Sequence, residues 1–142
     1  MPSPRISSKL KAAIAQRAKF CCEYCLSQET YSPTPFSVDH IIPLIEGGSN
    51  KSSNLAFSCQ GCNNRKFTST QAFDSANQVM VPLFNPREQA WNKHFAWNAD
   101  CQEMIGLTAT GRATIEKLQL NRSGLVNLRE VLRSAGKHPP SL

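Results

Sequence analysis

Apolar positions in the first half of the chain change period twice, and each period predicts a different element. Leu10, Ala13, Ile14 and Arg17 or Ala18 recur every three to four residues, which predicts a helix capped by Ser7 or Ser8 and running to about Lys19, with a basic opposite face. After Phe20-Cys21-Cys22-Glu23-Tyr24-Cys25, the prolines of Ser32-Pro33-Thr34-Pro35 forbid a helix. Phe36 to Ile41 alternates and is β-branched, so it is expected to form a strand that delivers Asp39 and His40 near its end. Glu46-Gly47-Gly48-Ser49-Asn50 punctuates as a loop, and Asn54 to Cys59 predicts a second strand returning beside the first. Gly61 permits a sharp turn into a helix beginning near Cys62 or Asn63.

The second half is less regular. Pro82 and Pro86 break the stretch from Val79, Arg87 to Lys93 fits a short helix, and Phe95 and Trp97 alternate like a strand that turns at Asn98-Ala99-Asp100 into Cys101 to Leu107. Thr108 or Thr110 is expected to cap a helix to about Leu120. Ser123 is expected to cap another to about Ala135, built on Leu125, Leu128, Val131 and Leu132. With 142 residues, 40% of them hydrophobic, the chain suits one α+β domain. Its expected parts are a basic N-terminal helix (1–20), a strand, loop, strand and helix core (21–76), and a C-terminal extension (77–142) with a strand pair and helices.

Charge narrows the choice of partner. The formal net charge is +6, and Arg5, Lys9, Lys11, Arg17 and Lys19 precede the first cysteine with no acid among them. Arg112, Lys117, Arg122, Arg129, Arg133 and Lys137 crowd the last third. Basic arms around a mildly acidic centre suit an anionic partner such as nucleic acid, and charge alone only weakly separates that from an anionic membrane surface. The opening residues MPSPRISSKLKAAIAQR hold no apolar run long enough for a signal peptide or membrane span, so a cytoplasmic protein with no membrane partner is expected. Six cysteines in a reducing compartment point away from a disulfide framework.

Cys22-x-x-Cys25 and Cys59-x-x-Cys62 offer two pairs of soft thiolates, each able to bend its backbone around one edge of a tetrahedral structural Zn²⁺. Cys21 competes with Cys22, but its spacing to Cys25 is the less usual one, and Cys21 and Cys101 are expected to be ordinary buried thiols. A turn-rich segment of this kind also needs metal to fold, because it buries little apolar surface.

Between the pairs lie Asp39-His40-Ile41-Ile42-Pro43, Gly47-Gly48-Ser49-Asn50 and Asn54-Leu55, and the segment closes with Cys62-Asn63-Asn64-Arg65-Lys66. Phosphodiester hydrolysis needs a base near the operating pH and a cation on the scissile phosphate. His40 suits the base, Asp39 offers a hard oxygen ligand on the neighbouring strand position, and Asn63 offers a second, leaving room for water and a phosphate oxygen on Mg²⁺. Asn64 replaces Asn63 if the helix starts one residue later.

From about Cys22 to Lys66 the sequence resembles the HNH endonucleases, the ββα-metal nucleases, in residue order and in the two enclosing cysteine pairs. The resemblance implies a zinc-bound, treble-clef-like ββα core in which His40 activates water, Asp39 and Asn63 hold a divalent cation, and Asn54 orients the His40 loop. Many members carry His where this chain has Asn63, so it reads as the His-Asn-Asn variant, and an amide oxygen there favours Mg²⁺ or Mn²⁺. Double-stranded DNA is the implied substrate, with Arg65, Lys66, Lys9 and Arg17 as candidate phosphate contacts. A homodimer or a directing partner protein stays open.

Two other readings compete. A non-catalytic zinc-dependent module would bind nucleic acid with the same basic arms, and a protein-interaction domain would expose Trp91 and Trp97. His94 is expected to pack beside Phe95 and Trp97, and His138 to sit in a mobile Pro-rich tail.

Overall fold

The computed structural model describes residues 6–141, so Arg5 of the basic arm lies outside the described residues. Helix α1 (Ser8–Arg17) is capped by the Ser7 hydroxyl, which accepts from the Leu10 amide at 3.0 Å. Its buried stripe runs through Leu10, Ile14, Ala15 and Ala18, and Ala13 faces solvent.

Strands β1 (Ser37–His40) and β2 (Leu55–Ser58) pair antiparallel with Asp39 opposite Ala56 and His40 opposite Leu55. The expected return strand is therefore present, and β2 is buried along its whole length. Helix α2 (Gln60–Lys66) starts two to three residues earlier than Gly61 suggested. The reason is Cys59, whose Sγ accepts from the Cys62 amide at 3.4 Å and so serves as the helix cap.

A hairpin follows that the sequence pattern concealed. Strand β3 (Gln71–Asp74) pairs with β4 (Val79–Pro82), with Gln71 opposite Pro82 and Asp74 opposite Val79. The inward positions of β3 are Ala72 and Asp74 while Phe73 is exposed, so the usual apolar alternation is inverted. Asp74 is tolerated inside because the Arg112 guanidinium donates to both its oxygens at 3.1 and 3.0 Å. The pairing crosses the expected boundary between residues 76 and 77, which falls in the hairpin turn.

A single helical turn, α3 (Trp91–His94), leads into β5 (Phe95–Trp97), which pairs with β6 (Met104–Gly106). Helix α4 (Ala109–Leu118) takes Thr108 as its cap, and α5 (Ser123–Ser134) takes Arg122, one residue before the expected Ser123. In α5 the buried residues are Leu125 and Arg129, and Val131 is exposed. Arg129 lies over the Trp97 ring at 4.9 Å and donates to the Leu120 carbonyl at 2.7 Å, so a cation takes the core position intended for an aliphatic. His138 is not on a mobile tail. Its ring packs edge-on to Trp97 and bonds the Cys101 carbonyl at 2.8 Å.

One continuous core joins all of this, from Ile14 through Tyr24, Leu55, Phe57 and Phe84 to Ala113, Leu118 and Leu125. Among the described residues, no helix is long and apolar enough to cross a membrane.

Candidate metal centre and active-site groove

The two cysteine pairs meet as their spacing predicts. The four sulfurs of Cys22, Cys25, Cys59 and Cys62 lie within 4.8 Å of one another and all four residues are buried. Cys25 Sγ and Cys59 Sγ are 3.7 Å apart, close to the roughly 3.8 Å edge of a tetrahedron with Zn–S bonds of about 2.3 Å, and far from disulfide contact. The donor set and its size fit a zinc ion. Cys21 is buried outside this cluster, its thiol against the Lys19 carbonyl.

Arg122, from the far end of the chain, completes the surroundings of the sulfurs. Its guanidinium donates to Cys62 Sγ at 3.6 Å and to Cys59 Sγ at 3.6 Å, placing a positive charge against a thiolate cluster that stays net negative with one divalent ion bound. Gly61 makes room for it, because a Cβ there would come within 2.5 Å of the guanidinium. Gly61 thus serves close approach, where the sequence suggested a backbone turn.

Tyr24 lies between the first two cysteines and carries the cluster's rigidity to β1. Its hydroxyl donates to Asp39 Oδ2 at 2.6 Å, with both residues buried. Burial and the adjacent Asp39 carboxylate raise the Tyr24 phenol well above its ordinary range, so it remains a proton donor. Lys66, at the end of α2, reaches the same carboxylate at 3.2 Å and also donates to the carbonyls of His40 and Ile41 at 3.1 and 3.2 Å. With 2% exposure its ammonium cannot serve as the phosphate contact expected for it. Burial pushes the Asp39 carboxyl up, against the opposing pull of Lys66 and Tyr24.

Asn54 closes the loop that follows β1. Its Oδ1 accepts from the Ile42 amide at 2.9 Å, while its Nδ2 donates to the carbonyls of Ile42 at 3.0 Å and Ser49 at 2.9 Å. Gly48 is required beneath it, since a Cβ would stand 1.7 Å from the Ile42 carbonyl oxygen and 2.9 Å from Asn54 Nδ2. Gly48→Ala is therefore expected to break this clamp and cost about 1–3 kcal/mol, the usual penalty for stranding buried polar groups. Chemical denaturation should show the loss, and an unchanged midpoint would refute the arrangement.

His40 Nε2 meets Asn50 Oδ1 at 2.7 Å. An amide oxygen only accepts, so Nε2 carries the proton in the neutral ring and Nδ1 keeps its lone pair. Asn50 was missed in the sequence because a loop asparagine after Gly-Gly-Ser reads as turn chemistry. Tyr24 and Arg122 were missed for a similar reason: an aromatic inside a knuckle reads as packing, and a helix-cap arginine as surface charge.

Asp39, His40, Asn63 and Asn64 line one open groove of about 490 Å³ with Leu44, Ile45 and Phe67 on its walls. Residues 22–68 match the model of the HNH endonuclease family. The matched HNH segment covers the cysteine cluster, β1, β2, α2 and this groove. No curated protein matches the chain. Outside the HNH segment, Lys9 is exposed on α1, whereas Arg17 donates to the carbonyls of Ser52 and Leu55 and so braces the entry to β2. Arg65 is half-buried, with one guanidinium nitrogen on the Gly61 carbonyl.

Proposed function

We propose that the chain is a metal-dependent DNA endonuclease that hydrolyses phosphodiester bonds, with His40 as general base. The observation that carries this reading is the single groove in which His40, Asp39 and Asn63 meet, walled by a segment of the HNH family. Structural Zn²⁺ at the four cysteines holds the knuckles, and so holds Tyr24 and α2 in place on either side of β1.

In the reaction, His40 Nδ1 takes a proton from the attacking water while Asn50 holds the ring by its other nitrogen. Asn54 fixes the loop from Ile42 to Ser49, which keeps Asn50 in reach of the ring. Asp39 and Asn63 present oxygens to a divalent cation, Mg²⁺ or Mn²⁺ by the hardness of that pair. When bound, such a cation supplies charge stabilisation on the phosphate and the leaving oxygen. DNA is held by exposed cations such as Lys9, in a cytoplasmic setting that keeps the thiols reduced.

One observation favours a non-catalytic binding module instead, namely that Asp39 already has Lys66 as a buried counter-ion. The hydrogen-bond inventory answers it. Oδ2 takes Tyr24 and faces Lys66, but among the described residues Oδ1 receives only the Lys66 ammonium and keeps acceptor capacity for one further cation. Tyr24 then acts as a positioning residue for that oxygen. Tyr24→Phe is expected to weaken Mn²⁺ binding about 10–100-fold, read as free Mn²⁺ by electron paramagnetic resonance, with zinc content and thermal midpoint little changed. Unaltered Mn²⁺ affinity would remove Tyr24 from the site.

The decisive assay incubates the purified protein with supercoiled plasmid and Mg²⁺ or Mn²⁺. Nicked or linear product is expected with cation and none with EDTA; salt-sensitive binding with no cleavage under any cation would establish the binding module.

A further inference from the structure

The groove has a rim that the hydrolytic chemistry does not use. Phe67, directly after α2, is 76% exposed and Ile45 is 85% exposed, and both line the groove that holds His40 and Asn63. Neither side chain offers a phosphate a charge or a hydrogen bond, and neither is spent on the core.

Phe67 also occupies a backbone conformation that disfavours it. The Ser69 amide donates to the Lys66 carbonyl at 2.9 Å, closing a four-residue turn in which Phe67 is the second residue. Its φ of 49° and ψ of −121° are those of the first central position of a type II′ turn, where glycine is the favoured residue. A side chain there strains the backbone, and an exposed ring returns little packing energy to offset the strain. Strain of this kind at the mouth of a reaction groove points to a use for the ring.

The location decides the occupant. A scissile phosphate placed at His40 carries its own base one sugar away, so the rim next to the groove faces sugar and base. Aromatic faces stack on bases without regard to sequence. We propose that Phe67, with Ile45 beside the same groove, is a stacking platform for an unstacked nucleobase flanking the scissile phosphate. The substrate is then DNA that is single-stranded or locally opened at the cut, because a paired base keeps its faces inside the stack. This rests on the nuclease reading above and refines its substrate class.

The test compares wild type, Phe67→Gly and Phe67→Trp in fluorescence anisotropy with a labelled oligothymidylate and a duplex of equal length, over a series of salt concentrations and without added divalent cation. Phe67→Gly is expected to lose roughly tenfold in affinity for oligothymidylate, with an unchanged salt slope because no phosphate contact is removed. Its duplex affinity should stay within about twofold, Phe67→Trp should retain wild-type binding, and the thermal midpoint of Phe67→Gly should rise as the turn relaxes. Equal binding of oligothymidylate by wild type and Phe67→Gly would overturn the platform while leaving the nuclease reading intact. A salt slope that falls with the affinity would overturn it too, by making Phe67 an indirect support for phosphate contacts. Wild-type protein that binds neither DNA would instead overturn the nucleic-acid reading, and the platform with it.

Discussion

His40→Ala should reduce plasmid cleavage by about 10²–10⁴-fold, the usual contribution of a positioned general base, while DNA affinity, zinc content and thermal midpoint remain at wild-type values. The expectation of an intact fold follows from the position of the ring. His40 is half-buried at the end of β1, lines the open groove, and its ring bonds Asn50 in the loop above. The neighbouring structure is held by other groups: the Lys66 ammonium donates to the His40 backbone carbonyl, and Asn54 closes the loop. Removing the imidazole therefore deletes a reacting group and leaves its supports in place. Retained cleavage at the wild-type rate would dismiss His40 as the base, whereas joint loss of cleavage, binding and zinc would show that the ring is structural.

The parts of the site that the sequence announces are those whose chemistry is carried by residue type and short spacing. Two Cys-x-x-Cys pairs define the thiolate cluster because each pair must bend around one edge of a metal, and the alternation from Phe36 to Ile41 places Asp39 and His40 on a strand end. What stays hidden is long-range or inverted. Arg122 reaches the sulfurs across some sixty positions of sequence, and no local pattern relates it to Cys62. Lys66 has the spacing of a solvent-facing lysine, yet the carboxylate and two carbonyls at the end of β1 pull it inside. In the second half, Asp74 and Arg129 occupy core positions as charged residues satisfied by Arg112 and by backbone carbonyls, so β3 is concealed and α5 is rotated from its apolar stripe. Patterning assumes that what is buried is apolar, and it fails where ion pairs and bonded guanidinium groups do the filling.

Replacing Cys59 by serine should have the largest effect on stability. Cys59 is at once a member of the thiolate cluster and the cap of α2, so the substitution removes a soft ligand from the metal and weakens the start of the helix that carries Asn63 and Lys66. The cap loss is small, since a serine hydroxyl also accepts from a backbone amide. The ligand loss is not, because structural zinc contributes on the order of 10–16 kcal/mol in small zinc-folded units, comparable with the roughly 5–15 kcal/mol net stability of a whole domain. Within the HNH segment β1 and β2 are only four residues each, and Tyr24 and the start of α2 lie inside the two cysteine knuckles, so the ion adds to what the shared core supplies. Cys59→Ser is expected to bind less than one zinc per chain by native mass spectrometry and to lose cooperative thermal unfolding. Cys21→Ser, a buried thiol outside the cluster, should keep both. A Cys59→Ser protein that unfolds cooperatively at the wild-type midpoint would show that the four thiols are packing groups. The knuckles would then be held by the core and by Arg122, and the groove's geometry would not depend on a metal beneath it.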